Sequence, residues 1–201
     1  MRGRPRRSFV LAALGVALVV PTQAGAGDWS MFHRTPGHSG VTPETTLGSA
    51  AAPSLGARWM ANTGAGVFGS PVVATDRALG RVAYVGNQAG TMSAYDADTG
   101  DRIWARDLPA AIASTPAVKN GVVYFGAHDH WFYALDAATG AVRCKMHTGG
   151  IVSSSPVLAN PDGKGIVAYF GDNGLSGNDD GGRLWAVNGV SPNASEDCST
   201  K

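Results

Sequence analysis

Beyond Val20 the sequence has no long apolar run and no cluster of basic side chains. A membrane-spanning helix needs about 20 predominantly apolar residues, so no stable membrane anchor is expected in the body of the chain. No apolar segment there has the periodicity that predicts a helix. Without the four arginines of segment 1–26, the sequence has 12 basic and 15 acidic side chains, which gives a net charge of −3. Nucleic-acid binding needs excess positive charge, so no nucleic-acid partner is expected.

Segment 1–26 has the composition of an export signal. Four arginines between positions 2 and 7 precede an uninterrupted apolar run, Phe9–Val20, which Pro21 ends. This run is too short to span about 30 Å of hydrocarbon, and Ala24–Ala26 has the small-x-small pattern of a cleavage site, so mature protein should begin near Gly27. Arg6-Arg7 also fits a twin-arginine signal, but general secretory export is preferred. We predict a secreted or extracytoplasmic protein.

Cysteine is nearly absent, since Cys144 and Cys198 are the two in the chain. In an exported protein, two cysteines predict one disulfide rather than a redox or metal motif. The alternative is two small buried thiols.

What the sequence does contain is an internal repeat with a period of about 40 residues. Its first element contains a proline in each unit, at Pro71, Pro116 and Pro156. The second element is Val82–Gly86, Val122–Gly126 and Val167–Gly171, and the third is Met92–Asp96, Phe132–Asp136 and Leu184–Asn188. These segments are rich in β-branched and aromatic residues and are separated by Gly, Asp and Asn, which predicts short antiparallel strands.

A hairpin motif follows the third element of the first two units. It reads AYDADTGDRIW over residues 94–104 and ALDAATGAVRC over residues 134–144. Its Asp is expected to accept backbone N–H bonds in the turn, and its Gly to take a positive φ. A four-stranded sheet of about 40 residues cannot bury both faces alone, so successive sheets must pack face to face. The predicted fold is all-β, a β-propeller of four-stranded antiparallel blades.

The motif resembles the A-x-D-x-x-x-G-x-x-x-W docking motif of the pyrroloquinoline-quinone (PQQ) type propeller repeat. The matching residues are Ala94, Asp96, Gly100 and Trp104 in the first copy and Ala134, Asp136 and Gly140 in the second, where Cys144 replaces the Trp. The resemblance covers Trp59 to Asn188 and implies that the Trp closes the fourth strand and packs between blades. Trp59 resembles the same position of a preceding strand, and Asp28–Gly40 resembles the N-terminal segment that helps to close the ring.

The sequence divides into a signal peptide at 1–26, a ring-closing segment and linker at 27–56, and propeller repeats at 57–201. Three units are too few for a closed ring of about 4–8 blades. We expect an incomplete arc of about three blades, truncated in the third, from the N-terminal portion of a longer protein. Assembly from several chains is the alternative.

The resemblance implies two classes of function. One is an exported scaffold that binds a protein or small ligand at its loops or axis without a cofactor. The alternative is a PQQ- and calcium-dependent dehydrogenase of small or polymeric alcohols, whose remaining blades lie outside this chain. Many such enzymes have two adjacent cysteines over the cofactor, and this sequence has no such pair. The scaffold lipoprotein of the family is lipidated on a cysteine at its cleavage site, and there is no cysteine near Ala26. The scaffold is preferred, and enzyme activity stays open.

No catalytic or metal-binding residue is predicted, and cofactor-binding residues stay unassigned. Asp96 and Asp136 repeat at one structural position, so a turn role is favoured over catalysis. His128-Asp129-His130 offers two imidazoles on one hairpin without a third partner, which favours solvated polar residues over a metal site. The insertion 172–182 lacks the Glu of a calcium loop and is predicted to be a binding loop.

Overall fold

In the computed structural model, residues 27–42, 52–174 and 181–188 are described. A 3₁₀ helix, Ala52–Ser54, is followed by strands only. The strands are β1 (Val72–Asp76), β2 (Gly80–Gly86), β3 (Thr91–Asp96), β4 (Arg102–Asp107), β5 (Ala117–Lys119), β6 (Val122–Gly126), β7 (Trp131–Asp136), β8 (Val142–His147), β9 (Val157–Ala159), β10 (Val167–Asp172) and β11 (Arg183–Asn188). No described segment forms a helix with the length and apolar composition of a membrane span.

The strands form three antiparallel sheets in sequence order. Blade 1 is β1-β2-β3-β4, blade 2 is β5-β6-β7-β8, and blade 3 is β9-β10-β11. This confirms the all-β prediction and the position of every repeat. The predicted signal peptide, Cys198 and the fourth strand of blade 3 lie outside the described residues, and the domain boundaries stay predictions.

Two apolar cores join the blades face to face. The first lies between blades 1 and 2 and includes Tyr84, Met92 and Phe125. The second lies between blades 2 and 3, where the rings of Phe132 and Phe170 stack with centroids 3.9 Å apart and planes 4° apart. Blade 2 is thus covered on both faces, and blades 1 and 3 are each covered by blade 2 on one face. The repeat requires this packing, because burial of apolar surface is the main stabilising contribution.

The N-terminal segment crosses the first strands of two blades. Trp29 and Val73 exchange two backbone hydrogen bonds of 2.8 and 2.9 Å, and the Val118 N–H donates to the Ser30 carbonyl at 2.7 Å. Met31 is 4% exposed and packs in the second core. Residues 29–31 therefore tie the first strands of blades 1 and 2 together.

A chain of hydroxyl groups joins the blades just before their first strands. The Ser70 N–H donates to Thr115 Oγ1 at 2.9 Å, and the Thr115 N–H donates to Ser155 Oγ at 3.0 Å. Each of these residues precedes the proline of its repeat. Because proline has no N–H, the preceding residue is the last donor before the strand, and in blades 1 and 2 it bonds to the next blade.

Candidate functional site

The Asp of the hairpin motif folds the turn between the third and fourth strands. Asp96 Oδ1 accepts the N–H groups of Asp98 and Thr99 at 2.8 and 2.9 Å. Asp136 Oδ1 accepts those of Ala138 and Thr139 at 3.0 and 2.9 Å. Both carboxylates thus make the backbone bonds that turn chemistry favours at this position.

These bonds also affect the acidity of the two side chains. The backbone N–H groups of Thr99 and Asp98 lower the pKa of Asp96. Burial opposes ionisation of Asp136, but hydrogen bonds from Arg143 and Thr139 lower its pKa overall. A lowered pKa is what bonding of a carboxylate within a turn produces, so these shifts have the same origin as the turn geometry.

The Trp of one blade docks on the turn of the next. Trp104 Nε1 donates to the Ala137 carbonyl at 2.9 Å, and a Cβ added at Gly140 would lie 2.6 Å from Trp104 Cε3. Gly140 also has a φ of 68°, where a side chain is strained. The position therefore requires glycine for both conformation and contact.

Trp59 makes the same contact one blade earlier. Its Nε1 donates to the Ala97 carbonyl at 3.0 Å, and a Cβ at Gly100 would lie 2.7 Å from Trp59 Cδ2. The sequence predicts that Trp59 occupies the position of Trp104 in a preceding strand. In the structure it lies on the turn that contains Gly100, as Trp104 lies on the turn that contains Gly140. Ala94 pairs with Trp104 across β3 and β4, and Ala134 pairs with Cys144 across β7 and β8.

Cys144 occupies the docking position of blade 2. It is fully buried in the core between blades 2 and 3. No described cysteine is free. Cys198, the predicted partner, lies outside the described residues, so the pairing stays a prediction.

A polar and aromatic surface lies at the end of blade 2 that bears the β6–β7 loop. We call it the blade-2 loop surface; its members are His128, His130, Trp131, Lys145 and His147. Lys145 Nζ lies 4.4 Å from the Trp131 ring centroid, and the His147 ring centroid lies 4.9 Å from that ring. All five side chains are at least partly exposed. A cation over an indole face is an attractive pair, which favours this arrangement of Lys145 and Trp131.

Hydrogen bonds hold this surface in place. His130 has a φ of 73°, and its Nδ1 lies 2.8 Å from the Gly149 carbonyl, so Nδ1 is the donor. The Tyr133 hydroxyl donates to Asp129 Oδ2 at 2.6 Å, and burial together with Asp129 raises the pKa of Tyr133. The sequence predicts solvated residues on this hairpin. The contacts of His130 with Gly149 and of His128 with Ser153 were not predicted, because these partners lie 19 and 25 residues away in the sequence.

The corresponding loop of blade 3 begins with a buried Asp. Asp172 Oδ2 accepts the Trp185 Nε1–H at 2.7 Å, and Oδ1 accepts the N–H groups of Gly174 and Arg183. Burial opposes its ionisation, but the Trp185 bond and the backbone bonds lower its pKa overall. Asp172 therefore closes the insertion at its base, while residues 175–180 of the predicted binding loop lie outside the described residues.

The described residues do not fit a calcium centre. Among them, no three His, Cys, Asp or Glu side chains converge in a way that could hold a metal ion. The acidic side chains that repeat along the chain are instead bonded within turns.

Comparison with known proteins gives the family. A family model described as outer membrane protein assembly factor BamB matches residues 44–199. BamB of Moranella endobia is 27% identical over 144 residues, covering 63% of this chain and 35% of its own length. The lanthanide-dependent methanol dehydrogenase of Methylacidiphilum fumariolicum is 34% identical over 83 residues, covering 40% of this chain and 14% of the enzyme. The chain thus spans a small part of these relatives.

Solved structures agree on the fold. The quinohemoprotein alcohol dehydrogenase ADHIIG of Pseudomonas putida HK5 superposes with a TM-score of 0.64 at 21% identity, covering 85% of this chain and 26% of the enzyme. The quinohemoprotein alcohol dehydrogenase of Comamonas testosteroni gives a TM-score of 0.56 at 23% identity, covering 82% and 28%. From the docking turns, the blade order and the family match, we conclude that the chain belongs to the PQQ-like β-propeller repeat family that includes BamB and the quinoprotein alcohol dehydrogenases.

Proposed function

We propose that this protein is an exported binding scaffold and that the blade-2 loop surface is its recognition surface. The observation that supports this most is the partly exposed set of Trp131, Lys145 and His147, in which the cation and the imidazole lie against the indole ring. Tryptophan is one of the residue types that contribute most to binding energy at interfaces. Meanwhile the repeated carboxylates Asp96 and Asp136 are bonded within turns.

The partner is a protein or a small ligand bound outside the cell's cytoplasm. The export signal predicted from the sequence and the naming of BamB as an outer membrane assembly factor support this location. The cationic Lys145 and the indole of Trp131 favour a ligand that combines an acidic group with an apolar or aromatic one.

A photo-crosslinking amino acid at Lys145, introduced in the producing organism, tests the proposal. A discrete crosslinked species is expected from this position. Lys164 is the matched control, because its side chain is 85% exposed and lies in the β9–β10 connection, at the opposite end of the blades. Equal crosslinking from both positions, or none from Lys145, would contradict a recognition role for this surface.

The alternative is a PQQ-dependent alcohol dehydrogenase, favoured by the relatives that are named as such. The dehydrogenase subunit of the quinone alcohol dehydrogenase of Gluconobacter oxydans is 28% identical over 155 residues, 70% of this chain. PQQ would supply the redox chemistry, but the described residues offer no metal site for it. Dye reduction by ethanol after addition of PQQ and calcium would favour this alternative. The scaffold proposal predicts no saturable PQQ binding.

We also propose that Cys144 and Cys198 form a disulfide that replaces Trp docking between blades 2 and 3. The burial of Cys144 at the Trp position supports this. The absence of a free cysteine among the described residues agrees with it.

A further inference from the structure

We propose that a cavity between the first hairpins of blades 1 and 2 is a second binding site, which takes a short peptide with free termini. The cavity lies at the end of the blades that bears the β1–β2 and β5–β6 turns, opposite the blade-2 loop surface. Its volume is about 520 Å³. Small-molecule sites typically measure roughly 300–1,000 Å³, so the cavity has room for such a ligand.

Two hairpin turns and the N-terminal segment form the walls of this cavity. Residues 74–77 form one wall and residues 118–121 the facing one, and the N-terminal segment adds Asp28 and Ser30. The Thr75 hydroxyl donates to Asp28 Oδ1 at 2.7 Å, and the Val118 N–H donates to the Ser30 carbonyl at 2.7 Å. The N-terminal segment is thus bonded to both walls, so the cavity is preorganised for a ligand.

Charged side chains of both signs line the cavity. Asp28 and Asp76 are acidic, and Arg77 and Lys119 are basic. The ion pairs within 4.0 Å among the described residues involve none of these four side chains. The hydrogen bonds that Asp28 and Asp76 accept within the described part of the chain go to Oδ1, which leaves Oδ2 of each for a ligand.

The mixture of signs selects the charge of the ligand. Arg77 and Lys119 would attract a purely anionic ligand, but the two carboxylates would repel it, and a purely cationic ligand meets the reverse problem. A ligand with one ammonium and one carboxylate group can pair with side chains of both signs. The long side chains of Arg77 and Lys119 can reach a carboxylate from opposite walls, and Asp28 and Asp76 need an N–H donor, which a primary ammonium provides and a quaternary one lacks.

The base of the cavity is apolar. Ala74 and Val118 are 7% and 6% exposed, and the hydroxyl of the buried Tyr84 already donates to the Ala137 carbonyl at 3.1 Å. The base therefore offers methyl groups and an aromatic ring to the middle of a ligand. An apolar group between an ammonium and a carboxylate describes a short peptide with an apolar side chain.

Titration calorimetry of the purified exported protein with the dipeptide alanyl-phenylalanine tests the proposal. Saturable binding is expected. The N-acetylated and the C-amidated dipeptides each lack one terminal charge, so each should bind at least about tenfold more weakly. Arg77→Gln and Lys119→Gln should each weaken binding of the free dipeptide about tenfold. Both side chains are exposed, so neither variant should change the fold.

Lys164→Gln is the matched control, because Lys164 is an exposed lysine in the β9–β10 connection, the corresponding turn of blade 3. It should leave the affinity unchanged. The absence of saturable binding to the wild type, or equal binding of the free and blocked dipeptides, would overturn the proposal. Wild-type affinity in both Arg77→Gln and Lys119→Gln would overturn it as well. None of these results affects crosslinking from Lys145 at the other end of the blades, so the two binding proposals stand or fall separately.

Discussion

The interface between blades 1 and 2 differs from the interface between blades 2 and 3 at one repeated position. At the first, Trp104 and the Tyr84 hydroxyl both donate to the Ala137 carbonyl, at 2.9 and 3.1 Å. At the second, the small side chain of Cys144 takes the place of the Trp, and the Phe132–Phe170 stack fills the core.

The difference shows that one repeat can join its blades in two ways. The first interface depends on a large aromatic side chain that reaches the neighbouring turn. The second depends on aromatic stacking nearer its centre and, as we propose, on a covalent link. Because the backbone pairing of Ala94 with Trp104 and of Ala134 with Cys144 is the same, the exchange leaves the sheets unchanged.

Trp104→Ala is expected to break the first interface with the largest effect. It removes the ring that covers Gly140 and the bond to Ala137, and should lower the free energy of unfolding by about 4 kcal/mol. Trp104→Phe is the matched control, because it retains an aromatic ring but lacks the N–H donor. Loss of the hydrogen bond to Ala137 should lower its free energy of unfolding by about 1 kcal/mol, in addition to the effect of the smaller ring. Urea unfolding measures the free energy of unfolding of both variants. Equal and small decreases in the two would contradict the docking of Trp104 on the turn of blade 2.

Loss of the proposed disulfide is expected to weaken the second interface. Cys144→Ala and Cys198→Ala should each lower the free energy of unfolding by about 3 kcal/mol, and the double variant should cost little more than either, because both remove the same bridge. A thiol titration of the non-reduced, denatured wild type should find no free thiol. Two free thiols per chain would rule the bridge out.

The sequence predicted the blades because their pattern is local. The strands, the Asp turns and the Trp59 and Trp104 positions follow from short motifs of neighbouring residues. The blade-2 loop surface was not predicted, because it depends on contacts between separate loops, such as His128 with Ser153 and His130 with Gly149. The chain of hydroxyl groups through Ser70, Thr115 and Ser155 was not predicted for the same reason, although a hydroxyl residue before each proline is visible in the sequence.

Gly140→Ala tests the same interface between blades 1 and 2 from the side of the turn, with a smaller expected decrease in the free energy of unfolding than Trp104→Ala. Gly140 and Gly121 have φ values of 68° and 73°, so Ala is strained at both. A Cβ at Gly121 meets nothing within 4 Å, whereas one at Gly140 meets the Trp104 ring. Gly121→Ala should therefore cost about 1 kcal/mol and Gly140→Ala about 3 kcal/mol. Equal losses would show that Trp104 does not lie against this turn.

Lowering the pH should destabilise the turn of blade 2 that contains Asp136, and this is the smallest of the expected changes in the free energy of unfolding. The pKa of Asp136 is lowered in the folded state, so its charge stabilises the fold above its ordinary pKa of 3.8, and this contribution is lost as the pH falls through the lowered value. Asp136→Asn should cost about 1 kcal/mol at pH 7, with a difference from wild type that disappears toward pH 2. Asp162→Asn is the control, because Asp162 is an exposed carboxylate whose ion pair with Lys164 measures 4.0 Å. A difference independent of pH would contradict this origin.

The most direct test of blade docking is a double-mutant cycle between Trp104 and Gly140, measured by urea unfolding. If the Trp104 ring lies on the turn of blade 2, Gly140→Ala should cost about 2 kcal/mol less in the Trp104→Ala background than in the wild type, leaving the strain seen at Gly121. A coupling energy near zero would mean that the two residues do not touch, and would contradict the account of how these blades are joined.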